Sequence, residues 1–118
     1  MRNERLKRMN ELLKREASRI IAEDINDTRI AHFVTILHVK LSKDLKFAKL
    51  YCSIMGSGTE KQKRLQILES AAGFIQHKIA EKLDLRFTPH IRIIHDESID
   101  ESFHIAELLK HDEEQTSS

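Results

Sequence analysis

The sequence predicts a small α+β domain in the order α–β–β–α–(kink)–α–β–α. Three observations predict it: an amphipathic opening segment, two β-type runs joined by a short polar connection, and a helical pattern interrupted at Gly73. In residues 3–25, Leu6, Met9, Leu13, Ala17, Ile20 and Ile21 recur at three- and four-residue spacing and make one apolar helical stripe. Residues 26–32, with Asn26-Asp27-Thr28-Arg29, read as a turn. Phe33 to Leu41 is rich in Val, Ile and Thr, with Leu37, Val39 and Leu41 on one side of the predicted strand. Ser42-Lys43-Asp44-Leu45 is a hairpin connection. A second strand covers Lys46–Met55, with Ala48, Leu50, Cys52 and Ile54 on one side and Lys49, Tyr51 and Ser53 on the other. Thr59-Glu60-Lys61-Gln62 has a capping-box pattern and is expected to start a helix. That helix runs to a break at Ser70–Gly73 and resumes from Phe74 to Leu83. Pro89 introduces a third strand, Ile91–His95, and a capping box at Ser98 opens a short last helix offering Phe103, Ala106 and Leu109. The short first connection makes the first two strands antiparallel, and the helical connection lets the third run parallel to a neighbour.

A chain of 118 residues, 40% apolar and 33% charged, is the size and composition of one globular domain with one core. Its single cysteine, Cys52, sits in an alternating apolar run, which predicts a buried inert thiol in a reducing cytoplasm. No signal peptide or membrane-length apolar run is visible. Net charge is +1, but it is unevenly spread. Residues 1–50 carry 12 Lys/Arg against 7 Asp/Glu, residues 51–95 carry 7 against 4, and residues 96–118 carry 1 against 8. Such a gradient suggests a polyanion-binding body with an acidic tail from residue 112. The seven histidines lack zincin spacing, no cysteine pair exists, and no phosphate-loop or dinucleotide fingerprint is present, so no metal, cofactor or enzymatic activity is expected.

Gly73 lies alone in an otherwise helical stretch, preceded by Ser70, Ala71 and Ala72. A mid-helix glycine costs about 1 kcal/mol relative to alanine. It is placed for a kink or for close approach of another backbone; from the residue alone, a helix-packing notch or a C-cap joining two short helices is the favoured account. Lys61, Lys63 and Arg64 precede the break, and Lys78, Lys82 and Arg86 follow it. Cations on both sides of a low break, with helix N–H groups at its start, suit the approach of a nucleic-acid strand. On the first helix Arg8, Arg15 and Arg19 share a second face, with Arg5 at its edge. Guanidinium groups suit phosphate, although pairs such as Arg15–Glu11 or Arg19–Glu23 would occupy them within the helix. Tyr51 is the one aromatic considered for base stacking, so recognition is expected to lean on phosphate and shape.

Val39-Lys40-Leu41-Ser42-Lys43-Asp44-Leu45-Lys46-Phe47-Ala48-Lys49-Leu50-Tyr51-Cys52-Ser53, Ala72-Gly73-Phe74-Ile75, Leu85-Arg86-Phe87-Thr88-Pro89-His90-Ile91 and Asp96-Glu97-Ser98-Ile99 together resemble bacterial ribosome-binding factor A, over about residues 3–110. The resemblance implies a KH-like fold of type II order, α-β-β-α-kink-α-β, with a three-stranded sheet and helices packed on one face. It puts Ala71-Ala72-Gly73 at the place of the G-x-x-G loop of ordinary KH domains. It further implies one KH-like RNA-binding domain over 1–111 and a polar acidic tail over 112–118. Thr28 replaces a usual proline, Gln76 replaces a frequent basic residue, and Glu101-Ser102-Phe103-His104-Ile105 lacks the glycine and arginine common there. His77 and Lys78, within a turn of Gly73, are expected to bind phosphate in place of a basic residue at position 76. The resulting candidate RNA-binding set is Arg5, Arg8, Arg15, Arg19, Lys63, Arg64, Ala71, Ala72, Gly73, His77, Lys78, Lys82 and Arg86. The implied role is that of a cytoplasmic, non-enzymatic factor that binds free or immature small ribosomal subunits and their rRNA, not joined ribosomes; a monomer is expected because the sheet-and-helix reading leaves no apolar face unassigned. It would assist late 5′-end processing and folding, with importance in the cold. The competing expectation is a protein-interaction module docking a basic ribosomal or RNA-associated partner.

Overall fold

The computed structural model describes residues 2–85 and 87–97. Helix α1 spans Arg2–Arg19, a π-helical turn follows over Ile20–Asp24, and α2 is a single turn over Thr28–Ala31. Strands β1 (Val34–Leu41) and β2 (Phe47–Ile54), helices α3 (Gly58–Ser70) and α4 (Ala72–Leu83), and strand β3 (His90–His95) complete it. Strand order is β1-β2-β3, with β1 antiparallel and β3 parallel to β2. Arg86, the expected last helix from Ser98 to Leu109 and the tail at 112–118 lie outside the described residues.

The central strand carries the core. Ala48, Leu50, Cys52 and Ile54 are all fully buried, as alternation predicts for a strand covered on one face. Helix α1 packs on β1 and α4 on β3, so Leu13, Ala17, Ile20, Ile75 and Ile79 meet that face. Both outer strands are tied to the helices by a side-chain amide. The Leu41 N–H donates to Asn10 Oδ1 at 2.9 Å, and the Ile91 N–H donates to Gln76 Oε1 at 3.1 Å. Each bond satisfies an edge donor that would otherwise offer itself to another strand.

Four local expectations are corrected. The first helix does not stay α-helical to residue 25. The Ile25 N–H reaches back five residues to the Ile20 carbonyl at 2.9 Å, and the wider turn accompanies inward placement of both Ile20 and Ile21. Within the expected turn, Asp27 caps α2 by accepting from the Arg29 N–H, which seats Ile30 fully in the core. In β1 a bulge between Ile36 and His38 shifts the alternation, so Val34 and Ile36 share the inner face with Val39 and Leu41 while Leu37 is only half-buried. Helix α3 is capped by Ser57, not Thr59: Ser57 accepts from the Glu60 N–H and Glu60 accepts from the Ser57 N–H.

The Ser42–Leu45 connection is built by its side chains. Ser42 Oγ donates to Asp44 at 2.6 Å and accepts from the Phe47 N–H, while Asp44 accepts from the Lys46 N–H. This network holds Leu45 in the left-handed region (φ 64°), which a leucine does not adopt readily.

Candidate nucleic-acid interface

The break between α3 and α4 is one residue wide. Ala71 ends α3, its N–H bonded to the Ile67 and Leu68 carbonyls, and it also stands as N-cap of α4 without a side-chain cap bond. Among the described residues no side chain makes a cap hydrogen bond at the α4 N-terminus, where helix N–H groups and the positive end of the dipole lie. Gly73 is exposed, has an ordinary helical φ, and a Cβ added there would meet nothing within 4 Å. The packing-notch account of Gly73 is thus excluded among the described residues. Exposed Phe74 follows it, with Lys78 Nζ 5.6 Å from its ring centroid. Glu69, also exposed, is the acid nearest the break in sequence.

The cations around the break differ in availability. Lys63 and Lys82 are exposed and have no ion pair among the described residues. Lys78 lies 3.8 Å from Glu81, and His77 Nε2 lies 2.9 Å from the same carboxylate. Such exposed pairs contribute little and can be exchanged for another anion.

Arg64 departs from the expected set. It is only 9% exposed and its guanidinium donates to the Met55 carbonyl and to Glu60, with the Phe33 ring centroid 3.8 Å away. It clamps the start of α3 to the end of β2 and is not a surface cation. Gly56 makes room for it: the φ of +129° favours glycine, and a Cβ would collide with the Arg64 guanidinium. Helical spacing carried the signal, since Arg64 and buried Leu68 lie one turn apart on the inward side of α3.

The α1 set also divides. Arg8 and Arg15 line one shallow groove with Glu4, Lys7, Glu11 and Leu12, whereas Arg5 lines another beside Met9, Leu41, Asp44 and Leu45. Arg19 is held by Glu16 (3.2 Å), Glu23 (3.4 Å) and Asp24 (3.2 Å), which keep its pKa above the ordinary value, the Glu16 hydrogen bond most of all. The Arg19–Glu23 pair anticipated from the helix spacing is present, and it draws Arg19 into the π-turn. Sequence reasoning missed the role of Gln76. Its amide is turned to β3, so the position after Gly-Phe-Ile fastens the sheet edge.

Among the described residues no three His, Cys, Asp or Glu side chains are grouped to hold a metal ion, and no helix is long and apolar enough to cross a membrane.

The sequence model of the family described as ribosome-binding factor A matches residues 5–109. A ribosome-binding factor A from Clostridium novyi is 43% identical over 105 residues, covering 89% of this chain and 87% of the relative. In three dimensions the chain is similar to a ribosome-binding-factor-A-type protein of Thermotoga maritima, with a TM-score of 0.69 and 31% identity over 79% of this chain and 88% of that one. The crystal structure of ribosome-binding factor A from Thermus thermophilus shares the fold, with a TM-score of 0.66 at 21% identity, covering 76% of this chain and 94% of that one.

Proposed function

The chain belongs to the ribosome-binding factor A family, and from that premise we propose that it matures the small ribosomal subunit by binding the rRNA of the unfinished particle through the α3–α4 break. It is a binding factor and not a catalyst. The break offers an uncapped helix N-terminus to a phosphate, Ala71, Ala72 and Gly73 let the strand approach, and Lys63, Lys78 and Lys82 supply charge from both helices. Arg8 and Arg15 in one groove of α1 and Arg5 in another add further cations, and His77 adds a donor once it releases Glu81. The mechanism is occupancy. A monomer bound in the cytoplasm to free or immature subunits holds an rRNA conformation that late folding and 5′-end processing then complete. The need is greatest in the cold, where misfolded RNA rearranges slowly.

The observation that carries this reading is Gly73. Neither a close approach among the described residues nor a left-handed φ requires a glycine there, and the open space beside it supports approach by an external strand. The test is co-sedimentation of the purified protein with free small subunits, large subunits and joined ribosomes at two salt concentrations. Salt-sensitive binding confined to free small subunits is expected. Equal binding to all three particles would reduce the surface to general polyanion attraction.

A further inference from the structure

The side of the sheet that no described helix covers has a chemistry of its own. Alternation turns one set of residues away from the core, and the pairing register aligns them in rows across the three strands. Lys40, Lys49 and Arg92 form one row, all exposed and without an ion pair among the described residues. In the row on one side, His38 and Tyr51 stack with ring centroids 4.3 Å apart and planes 15° from parallel. In the row on the other side, Phe47 and His90 meet edge to face at 6.1 Å, and Phe47 is 54% exposed. The three strands contain no Asp or Glu.

Adjacent strands lie about 4.8 Å apart, and like charges directly opposite destabilise a sheet. Lys40 and Lys49 are directly opposite, and Arg92 continues the row. The arrangement is a cost to the fold that no described carboxylate offsets, and an anion laid across the row would relieve it. Aromatic faces on both sides of a cation row suit an anion that also carries flat rings. Those rings must be unpaired, because duplex RNA buries its base faces and presents mainly phosphate and hydroxyl groups.

We propose that this helix-free face is a second RNA surface, a platform for single-stranded RNA in which Lys40, Lys49 and Arg92 hold phosphates and the His38–Tyr51 and Phe47–His90 pairs receive bases. It rests on the RNA-binding reading above but uses the opposite side of the sheet from α3 and α4. The protein would thereby hold an unpaired rRNA segment on one face while the α3–α4 break grips the particle on the other.

The experiment titrates the full chain with labelled oligouridine and with an RNA duplex of equal length across a salt series. Lys40→Ala/Lys49→Ala/Arg92→Ala, Tyr51→Ala and Tyr51→Phe are measured alongside, with thermal melting to confirm folding; the three cations are exposed and their removal relieves the like-charge row, so the triple variant is expected to melt no lower than the parent. Preference for oligouridine over duplex is expected. The triple variant should flatten the slope of log K against log salt by about 2, at roughly 0.7 for each phosphate of a single strand that is released. Tyr51→Ala should weaken oligouridine binding about tenfold or more, while Tyr51→Phe, which keeps the ring, should not. Oligouridine affinity and slope unchanged in the triple variant overturn the proposal, as does wild-type protein that binds small subunits but not oligouridine; either result leaves the α3–α4 reading in place. Loss of small-subunit binding on substituting Lys63, Lys78 and Lys82, with the sheet variants unaffected in both assays, also overturns it. Wild-type protein that binds oligouridine through the sheet but no small subunit defeats the parent reading instead.

Discussion

At Gly56 the φ of +129° favours glycine, and the Arg64 guanidinium fills the space a side chain would need. At Gly73 neither constraint holds, because the backbone is helical and the surroundings are open. Replacing Gly73 by alanine should therefore leave folding intact and raise stability by up to about 1 kcal/mol, through helix propensity alone. Gly73→Val adds bulk at the same point, and valine's helix propensity is slightly better than glycine's. If RNA backbone comes close at the break, the valine variant should lose about tenfold or more in small-subunit affinity, equivalent to about 1.4 kcal/mol, at nearly unchanged stability. Chemical denaturation and subunit binding measured on the same preparations separate the two effects, and a parallel loss of both would return Gly73 to a structural role. Arg64 shows the limit of counting charges along a chain. Its residue type suggested a phosphate ligand, whereas the Met55 carbonyl and the Phe33 ring, neither visible as a partner without the fold, join Glu60 one helical turn away in consuming its donors and its face.

Among the elements, the connections depend on carboxylates more than the sequence pattern indicates. Asp27 is held below the ordinary carboxylate range chiefly by the Arg29 side chain, Asp44 chiefly by the Ser42 hydroxyl, and Glu60 chiefly by the Ser57 N–H. For such groups the unfolded chain binds more protons in the acid range, so stability rises with pH there. Their contribution is fully present above the ordinary carboxylate range and is lost as pH falls through the lowered folded values. Denaturation midpoints should therefore drop below about pH 4, and Asp44→Asn should show a shallower drop because its connection no longer titrates. Asp44 and Glu60 are solvent-exposed and Asp27 is half-buried at the surface, so each effect is small. The order and type of the elements were legible because the apolar spacing of α1, β2 and α4 repeats cleanly. The β1 bulge was not: one inserted residue reverses the phase midway, and the alternation read from Leu37, Val39 and Leu41 describes only the second half of the strand. The π-turn escaped for a similar reason, since one extra residue per turn leaves an apolar stripe recognisably helical. Ser57 and Thr59 both fit a cap, and the choice between them depends on where the β2 strand releases the chain.

Across the whole molecule the sequence shows a basic body and an acidic end, but not which cations remain available to a partner. The fold sorts them. Arg64 is internal, Arg19 is shared among three carboxylates, and Lys63 and Lys82 stand exposed on two helices joined at the break. Lys78 is intermediate, 3.8 Å from Glu81. This sorting makes a prediction that a uniform charge count does not. Each phosphate interaction removed lowers the slope of log K against log salt by about 0.7 to 0.9, according to whether the RNA is single- or double-stranded. Lys63→Ala/Lys78→Ala/Lys82→Ala should therefore flatten the slope for small-subunit binding by about 2 to 3 units. Arg19→Ala, a change of one positive charge, should leave the slope nearly as it is, because its guanidinium is already engaged at the π-turn; its effect should appear in the denaturation midpoint. Salt-series co-sedimentation of the two variants beside the parent chain decides the matter. A slope lowered as much per charge by Arg19→Ala as by the triple variant would mean that binding senses net charge alone, and that the α3–α4 break does not direct the interaction.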